Sequence, residues 1–264
     1  MSYLSVTGIT AGYGKQPVIE NISFQLEAGC LMGIIGANGS GKTTLLKALC
    51  GILPHEGSCT LDDVLLEKLS ARQIARLISY IPQRSGVSID ISVLDVVLMG
   101  FNPQLGLLAH PTKGMQRAAM EALAQVGLAE KAAMNYMHLS EGQKQLCIVA
   151  RTLVAGSKLL LLDEPESALD FHYRHKILSL LSGWVQRTQS SAIVTLHDPA
   201  LALNYCQRLL LLEEGNVVGM LRPREDTPET MEQQLSRIYG KVSLQQVTAK
   251  NGSRQLIMIN EETL

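Results

Sequence analysis

Short runs of apolar, often β-branched residues alternate along the chain with stretches whose apolar positions recur three and four apart. That alternation is the mark of crossover units feeding a largely parallel sheet, and so of an α/β fold. The runs that read as strands are Leu4 to Ile9, Val18 to Leu26, Leu31 to Ile35, Ile78 to Ile81, Leu159 to Leu162, Ala192 to Leu196 and Leu209 to Leu212. Several are apolar at every position, as strands covered on both faces are. From Val93 to Ala155 the strand signal stops. Met115, Ala118, Ala119, Ala122, Leu123 and Val126 fall on one helical face, and Leu146, Val149, Ala150 and Leu153 on another. An all-helical insertion is expected there, after a loop near Arg84 to Asp90. Met231 to Tyr239 reads as a further helix. Val242 to Val247 and Gln255 to Ile259 flank Asn251-Gly252, a pair that favours tight hairpin turns.

Composition narrows this picture without redirecting it. Of 264 residues, 46% are hydrophobic and 18% charged, a balance that folds, at a length that holds one large domain or two modest ones. Twenty-three Lys and Arg oppose 24 Asp and Glu, and only 4% of residues are aromatic. Without a basic excess or stacking platforms, no nucleic-acid partner is expected. No apolar stretch approaches the roughly 18 residues of a spanning helix, and Met1 to Val6 carries neither a basic region nor an apolar signal core. Five widely spaced cysteines (Cys30, Cys50, Cys59, Cys147, Cys206) form no C-x-x-C pair and suit reduced core thiols of a cytosolic protein.

Chemistry enters at Gly36-Ala37-Asn38-Gly39-Ser40-Gly41-Lys42-Thr43-Thr44, which fits G-x-x-x-x-G-K-[ST] between an apolar strand and the helical run Leu45 to Leu49. Glycines let the backbone curl so that successive N–H groups face one centre, and the helix N-terminus adds positive potential. Lys42 then reaches the β- and γ-phosphates and Thr43 can ligate magnesium, so a triphosphate cradle is expected. Leu159 to Leu162 ends in Asp163 and Glu164, carboxylates delivered to the C-terminal edge of a parallel sheet, where ligands bind. Alone, such a pair reads as a solvated turn. Beside a phosphate loop, Asp163 is expected to hold magnesium and Glu164 to activate the attacking water. Ser140 and Gln143 have the spacing of a capping box. The same helix start, with Gly142 unhindered, also suits an anion, and spacing leaves both readings open. His172 and His175, three apart with no further ligands nearby in sequence, read as a surface helix rather than a metal pair.

Together, the phosphate loop, Pro82-Gln83, Leu139 to Gln143, Leu159 to Glu164, Ser167-Ala168-Leu169-Asp170 and His197 resemble the ATPase subunit of an ABC transporter, over roughly residues 3 to 220. The resemblance implies a P-loop NTPase core with a mostly parallel sheet, an N-terminal antiparallel β subdomain and an inserted α-helical subdomain. An ATPase domain is expected over residues 1–240, with the helical subdomain at about 86–155, and the hairpin read from the strand pattern forms a small C-terminal extension over 241–264. Two copies would sandwich two ATP molecules with Mg²⁺, each between one subunit's phosphate loop and Ser140, Gly142 and Gln143 of the other. It also assigns Tyr13 to adenine stacking, Gln83 to magnesium and the coupling loop, Asp170 to communication across the dimer, and His197 to the γ-phosphate. Each has a plainer rival: a turn aromatic, a solvated loop amide, a helix cap, a strand-end histidine. Glu141 departs from the glycine common at that position and is expected to face away from phosphate. Glu166 stands where the family often has threonine or serine.

Leu69 to Arg72, Val93 to Gly100 and His197 to Ala202 are similar to the importer subgroup that handles ferric siderophores, haem, cobalamin and, in some members, molybdate. That likeness implies a peripheral subunit at the cytoplasmic face of the cell membrane, paired with two permease subunits and indirectly with a substrate-binding protein. Residues 83–99 would face the permease. The rival is a soluble ABC ATPase of iron–sulfur assembly or another non-transport role.

Overall fold

A computed structural model describes residues 3–83, 90–106, 108–167, 169–250 and 252–262. Of the expected loop near Arg84 to Asp90, residues 84–89 lie outside the described residues, as do Ala168 and Asn251.

Two sheets form the frame. The first is antiparallel, in the order β2 (Gln16–Leu26), β1 (Leu4–Tyr13), β4 (His55–Leu61), β5 (Val64–Leu65). The second has six strands: β10 (Asn216–Leu221), β9 (Arg208–Glu213), β3 (Leu31–Ile35), β8 (Ser191–Thr195), β7 (Leu159–Asp163) and β6 (Ile78–Ile81). Its neighbours pair in parallel except for β10 on β9. Parallel strands this apolar require cover on both faces, and β7 shows it. Leu160 and Leu162 enter one buried cluster, while Leu159 and Leu161 enter the other. Burying each such side chain stabilises the fold by roughly 1.5–3 kcal/mol.

On one face lie the antiparallel sheet and α1 (Lys42–Leu49). On the other, α6 (Phe171–Thr188), α7 (Pro199–Tyr205) and α8 (Pro228–Tyr239) share a core with α3 (Val93–Leu98), α4 (Lys113–Val126) and α5 (Glu141–Val154). Each of α3 to α5 opens on a hydroxyl cap: Ser92, Thr112 and Ser140 accept the amides of Asp95, Met115 and Gln143. Such caps satisfy donors that a helix start otherwise leaves orphaned. The short α2 (Ala71–Leu77) is tied to the helical region by Arg76, whose Nε donates to the Pro103 carbonyl at 2.8 Å.

Three strands lack the expected pattern. β4 buries only Cys59 and Leu61 within a polar run, β5 has two residues, and β10 carries Gly219 on a sheet edge. β1 runs on to Tyr13, four residues past the expected Ile9. The terminal strands β11 (Val242–Thr248) and β12 (Arg254–Asn260) close with Thr248 opposite Arg254. The connection between them spans 249–253, wider than the two-residue turn its Asn-Gly pair favours. The hairpin is fastened to the body by Asn204, whose side chain both donates to the Leu256 carbonyl (2.9 Å) and accepts its amide (2.9 Å).

Candidate active site

The chain leaves β3 at Ile35 and turns through Gly36 to Gly41 into α1. Two glycines are dictated by space. A Cβ at Gly36 would lie 2.0 Å from the Leu212 carbonyl oxygen, and one at Gly41, whose φ is 99°, would lie 2.4 Å from Ile19 Cγ2. Lys42 is buried, and its Nζ donates to the carbonyls of Gly36 (2.9 Å) and Ala37 (3.0 Å). Burial pulls its pKa down, while Glu164, Asp163 and Glu166 oppose that through space. The Ser40 hydroxyl is buried with no hydrogen-bond partner among the described residues. Asn38, Gly39, Gly41, Lys42, Thr43, Thr44 and Glu164 line a cavity of about 170 Å³ together with Val18.

Strand order brings the acidic pair to this loop. β7 lies between β6 and β8, with Asp163 in register beside Thr195. Asp163 Oδ1 accepts from Thr43 Oγ1 at 3.0 Å and from Thr195 Oγ1 at 2.9 Å, and its Oδ2 accepts from the Tyr80 hydroxyl at 3.3 Å. Burial, with Asp163 adding to it, pushes the Tyr80 phenol pKa up. Glu164 sits at φ 49°, a left-handed conformation uncommon for a residue with a side chain. Its amide is held there by Thr195 Oγ1 at 2.8 Å. The Glu164 carboxylate meets His197 Nε2 at 2.7 Å through one oxygen and accepts from Gln83 Nε2 through the other. Thus Lys42, Thr43, Gln83, Asp163, Glu164 and His197 meet at one strand edge.

The remaining site candidates stand apart from this cluster. Tyr13 is 58% exposed at the end of β1, where Lys47 Nζ donates to its hydroxyl at 3.3 Å. At the start of α5, Gln143 N–H donates to Ser140 Oγ at 3.4 Å and Gln143 Oε1 accepts the Ser140 amide at 3.2 Å, so the capping box forms. Glu141 turns to Lys144 at 2.8 Å. Gly142 is packed under Tyr173, whose ring a Cβ would approach to 2.6 Å. Asp170 caps α6 by accepting the Tyr173 amide at 2.9 Å. Among the described residues, no hydrogen bond joins Ser140, Gly142, Gln143 or Asp170 to the phosphate loop. His175 bonds the Tyr205 hydroxyl at 2.8 Å, and its ring lies tilted against Phe171 with centroids 4.2 Å apart.

Sequence reasoning passed over Thr195 and Tyr80. Thr195 carried a signal, a hydroxyl at the end of an apolar strand; Tyr80 carried none that separates it from a core aromatic.

A family model described as ABC transporter matches residues 19–167. The hemin import ATP-binding protein HmuV of Bordetella pertussis is 34% identical over 247 residues, covering 90% of this chain and 92% of that protein. The manganese transport system ATP-binding protein MntB of Bacillus subtilis is 35% identical, over 79% and 82%. The cobalamin import ATP-binding protein BtuD of Halobacterium salinarum is 30% identical over 86% of this chain and 57% of that protein. Among solved structures, an inward-facing metal-chelate type ABC transporter superposes with a TM-score of 0.83 at 28% identity, covering 99% of both chains. A dimeric ATP-binding cassette bound to ADP and phosphate shares the fold, with a TM-score of 0.74 at 24% identity over 84% of this chain and all of that one. The phosphate loop, the acidic strand end and these likenesses agree: this chain belongs to the ABC transporter family, whose members bind ATP.

Proposed function

We propose that this protein is the ATP-hydrolysing subunit of a prokaryotic ABC importer for a metal chelate or related cargo, of the kind represented by haem, ferric siderophores and cobalamin. The observation that carries the reading is the convergence of Lys42, Thr43, Gln83, Asp163, Glu164 and His197 at the C-terminal edge of the parallel sheet. In this reading the loop from Gly36 to Thr44 cradles the phosphates and Lys42 leaves its carbonyl partners for the β- and γ-oxygens. Glu164 orients and deprotonates the attacking water, an effect worth typically 10²–10⁴-fold. His197 holds the γ-phosphate. Thr43, Asp163 and Gln83 offer the all-oxygen donors that suit Mg²⁺, with Thr43 Oγ1 already 3.0 Å from Asp163 Oδ1. Bound there, the ion neutralises charge on the β- and γ-phosphates.

One chain supplies half a site. A cavity of about 170 Å³ falls below the 300–1,000 Å³ of pockets that enclose small molecules. The missing wall is Ser140, Gly142 and Gln143 of a second copy, with Asp170 signalling across the interface and Tyr13 stacking on adenine. Residues 1–240 then form the ATPase domain, with a helical subdomain over about 86–155, and residues 241–264 an extension. No described helix is long and apolar enough to cross a membrane. The likeness to import ATP-binding proteins supports a protein that works at the cytoplasmic face with two permease subunits, and indirectly with a binding protein. Residues around 83–99 meet the permease. The names of the similar haem and cobalamin importers support the cargo class.

Glu164→Gln tests the enzymatic half. It keeps the shape of the side chain and removes the base, so ATP still binds, turnover falls at least 100-fold, and light scattering finds an ATP-bound dimer. Ordinary turnover in that variant would reject the assignment. ATP-driven uptake of haem, a ferric siderophore or cobalamin into vesicles holding the co-purified permease tests the cargo, and uptake of none of them overturns it.

A further inference from the structure

Glu166 is the most deeply buried acidic side chain after Asp163, at 3% exposure, yet it has no place in the reaction described above. One carboxylate oxygen, Oε1, accepts the main-chain amide of His197 at 3.0 Å. The other is sealed from solvent and has no hydrogen-bond partner among the described residues. Its main-chain carbonyl accepts the Leu169 amide at 3.2 Å, one residue before Asp170. Burial drives the carboxyl pKa above its ordinary value, with Glu164 adding to the rise and the His197 amide and side chain opposing it.

This is an expensive way to fill space. Burying an ionisable group with one of two oxygens unpartnered costs free energy that an apolar side chain of equal size would not. What the carboxyl supplies and an apolar group cannot is an acceptor for His197 N–H. That amide follows β8 at the point where the chain turns toward α7, and no other described group accepts it. The His197 ring, 42% exposed, is held among the described residues by its contact with Glu164. Fixing the main chain at 197 therefore fixes where the ring stands relative to Glu164 and to a phosphate above Lys42.

We infer that Glu166 is a positioning residue, which holds the His197 main chain through its side chain and the approach to Asp170 through its carbonyl. The inference rests on the ATPase reading proposed above and adds to it a residue that acts through another. The role belongs to the acceptor oxygen and not to a negative charge. Glutamine should therefore perform it, and methionine, similar in volume but without an acceptor, should not.

The test compares E166M and E166Q by two measurements. The first is amide hydrogen exchange at His197 in the nucleotide-free protein, which needs no activity. E166M should exchange roughly tenfold faster at that amide, and E166Q should match the wild type. The second is steady-state ATPase kinetics. In E166M, kcat should fall roughly 3- to 10-fold, the size of one hydrogen bond, with KM for ATP within about twofold; E166Q should restore kcat. Unchanged protection at His197 in E166M overturns the inference, and so does an E166Q variant that loses protection and kcat as E166M does. Should E166M not fold, E166A takes its place under the same criteria. Absence of ATPase activity in the wild type would sink the functional reading, while the exchange comparison would still decide whether Glu166 holds His197.

Discussion

Thr195→Val exchanges one hydroxyl for a methyl at a position with 0% exposure. The hydroxyl it removes makes two contacts, donating to Asp163 Oδ1 at 2.9 Å and accepting the Glu164 amide at 2.8 Å. A hydrogen bond to a charged group contributes about 1.5–3 kcal/mol, and a buried amide left without a partner costs about 1–3 kcal/mol. Asp163 keeps Thr43 and Tyr80, so the loss stays below the 3–5 kcal/mol of a wholly abandoned buried charge. The expected destabilisation is about 2.5–5 kcal/mol. Thr195→Ser keeps the hydroxyl and deletes one methyl, worth about 0.8 kcal/mol. Urea unfolding of both variants, with m unchanged, isolates the hydroxyl by difference. Turnover should fall with it, because the same bond holds Glu164 at its left-handed φ of 49°. If Thr195→Val costs no more than Thr195→Ser, the proposed anchoring of the acidic pair is wrong.

Lys42→Ala removes a buried cation on which Asp163, Glu164 and Glu166 all act; ATP should bind roughly 10- to 150-fold more weakly by calorimetry, the equivalent of about 1.5–3 kcal/mol. Glu166→Gln should change how stability varies with pH. The folded carboxyl titrates above its ordinary value of 4.5, so wild-type stability declines as pH rises above that value, and the decline ends past the folded pKa. Glutamine abolishes this loss, so its advantage over wild type in urea midpoint should be larger at pH 8 than at pH 5; an advantage independent of pH would show that the carboxyl does not titrate as its burial dictates.

The strands that could be read from the sequence are those buried on both faces, because burial on two sides leaves a continuous apolar run. Ile78–Ile81 coincides with its reading, β7 runs one residue further, and β8 is shifted by one residue at each end. β4 escaped because a strand that covers one face with two side chains, and bends at Gly57, carries almost no periodic signal. The phosphate loop was legible because its chemistry is contiguous in sequence. Thr195 and Tyr80 reach Asp163 only through the order β6, β7, β8, which no local pattern states. Gly142 was read as clearance for a phosphate. Its surroundings add a second requirement, since the Tyr173 ring occupies the space a side chain would need.

The capping and anion-binding readings of Ser140 compete in the sequence but not in the structure. A serine hydroxyl has one donor and two acceptor sites. The cap uses a single acceptor site, for Gln143 N–H at 3.4 Å, which leaves the O–H proton free to donate outward. Ser140 is exposed, and Glu141 is drawn to Lys144, whose cation offsets its charge beside an arriving anion. Aspartate separates the two functions. It caps a helix about as well as serine, yet it donates nothing and repels phosphate. Ser140→Asp should unfold within about 0.5 kcal/mol of the wild type, whereas Ser140→Ala should lose about 0.5–2 kcal/mol. Introduced beside Glu164→Gln, Ser140→Asp should abolish the ATP-dependent dimer that Glu164→Gln alone accumulates, read by light scattering. A double variant that dimerises normally with ATP would leave Ser140 as a cap and no more, and the second wall of the nucleotide site would have to be sought elsewhere on the surface.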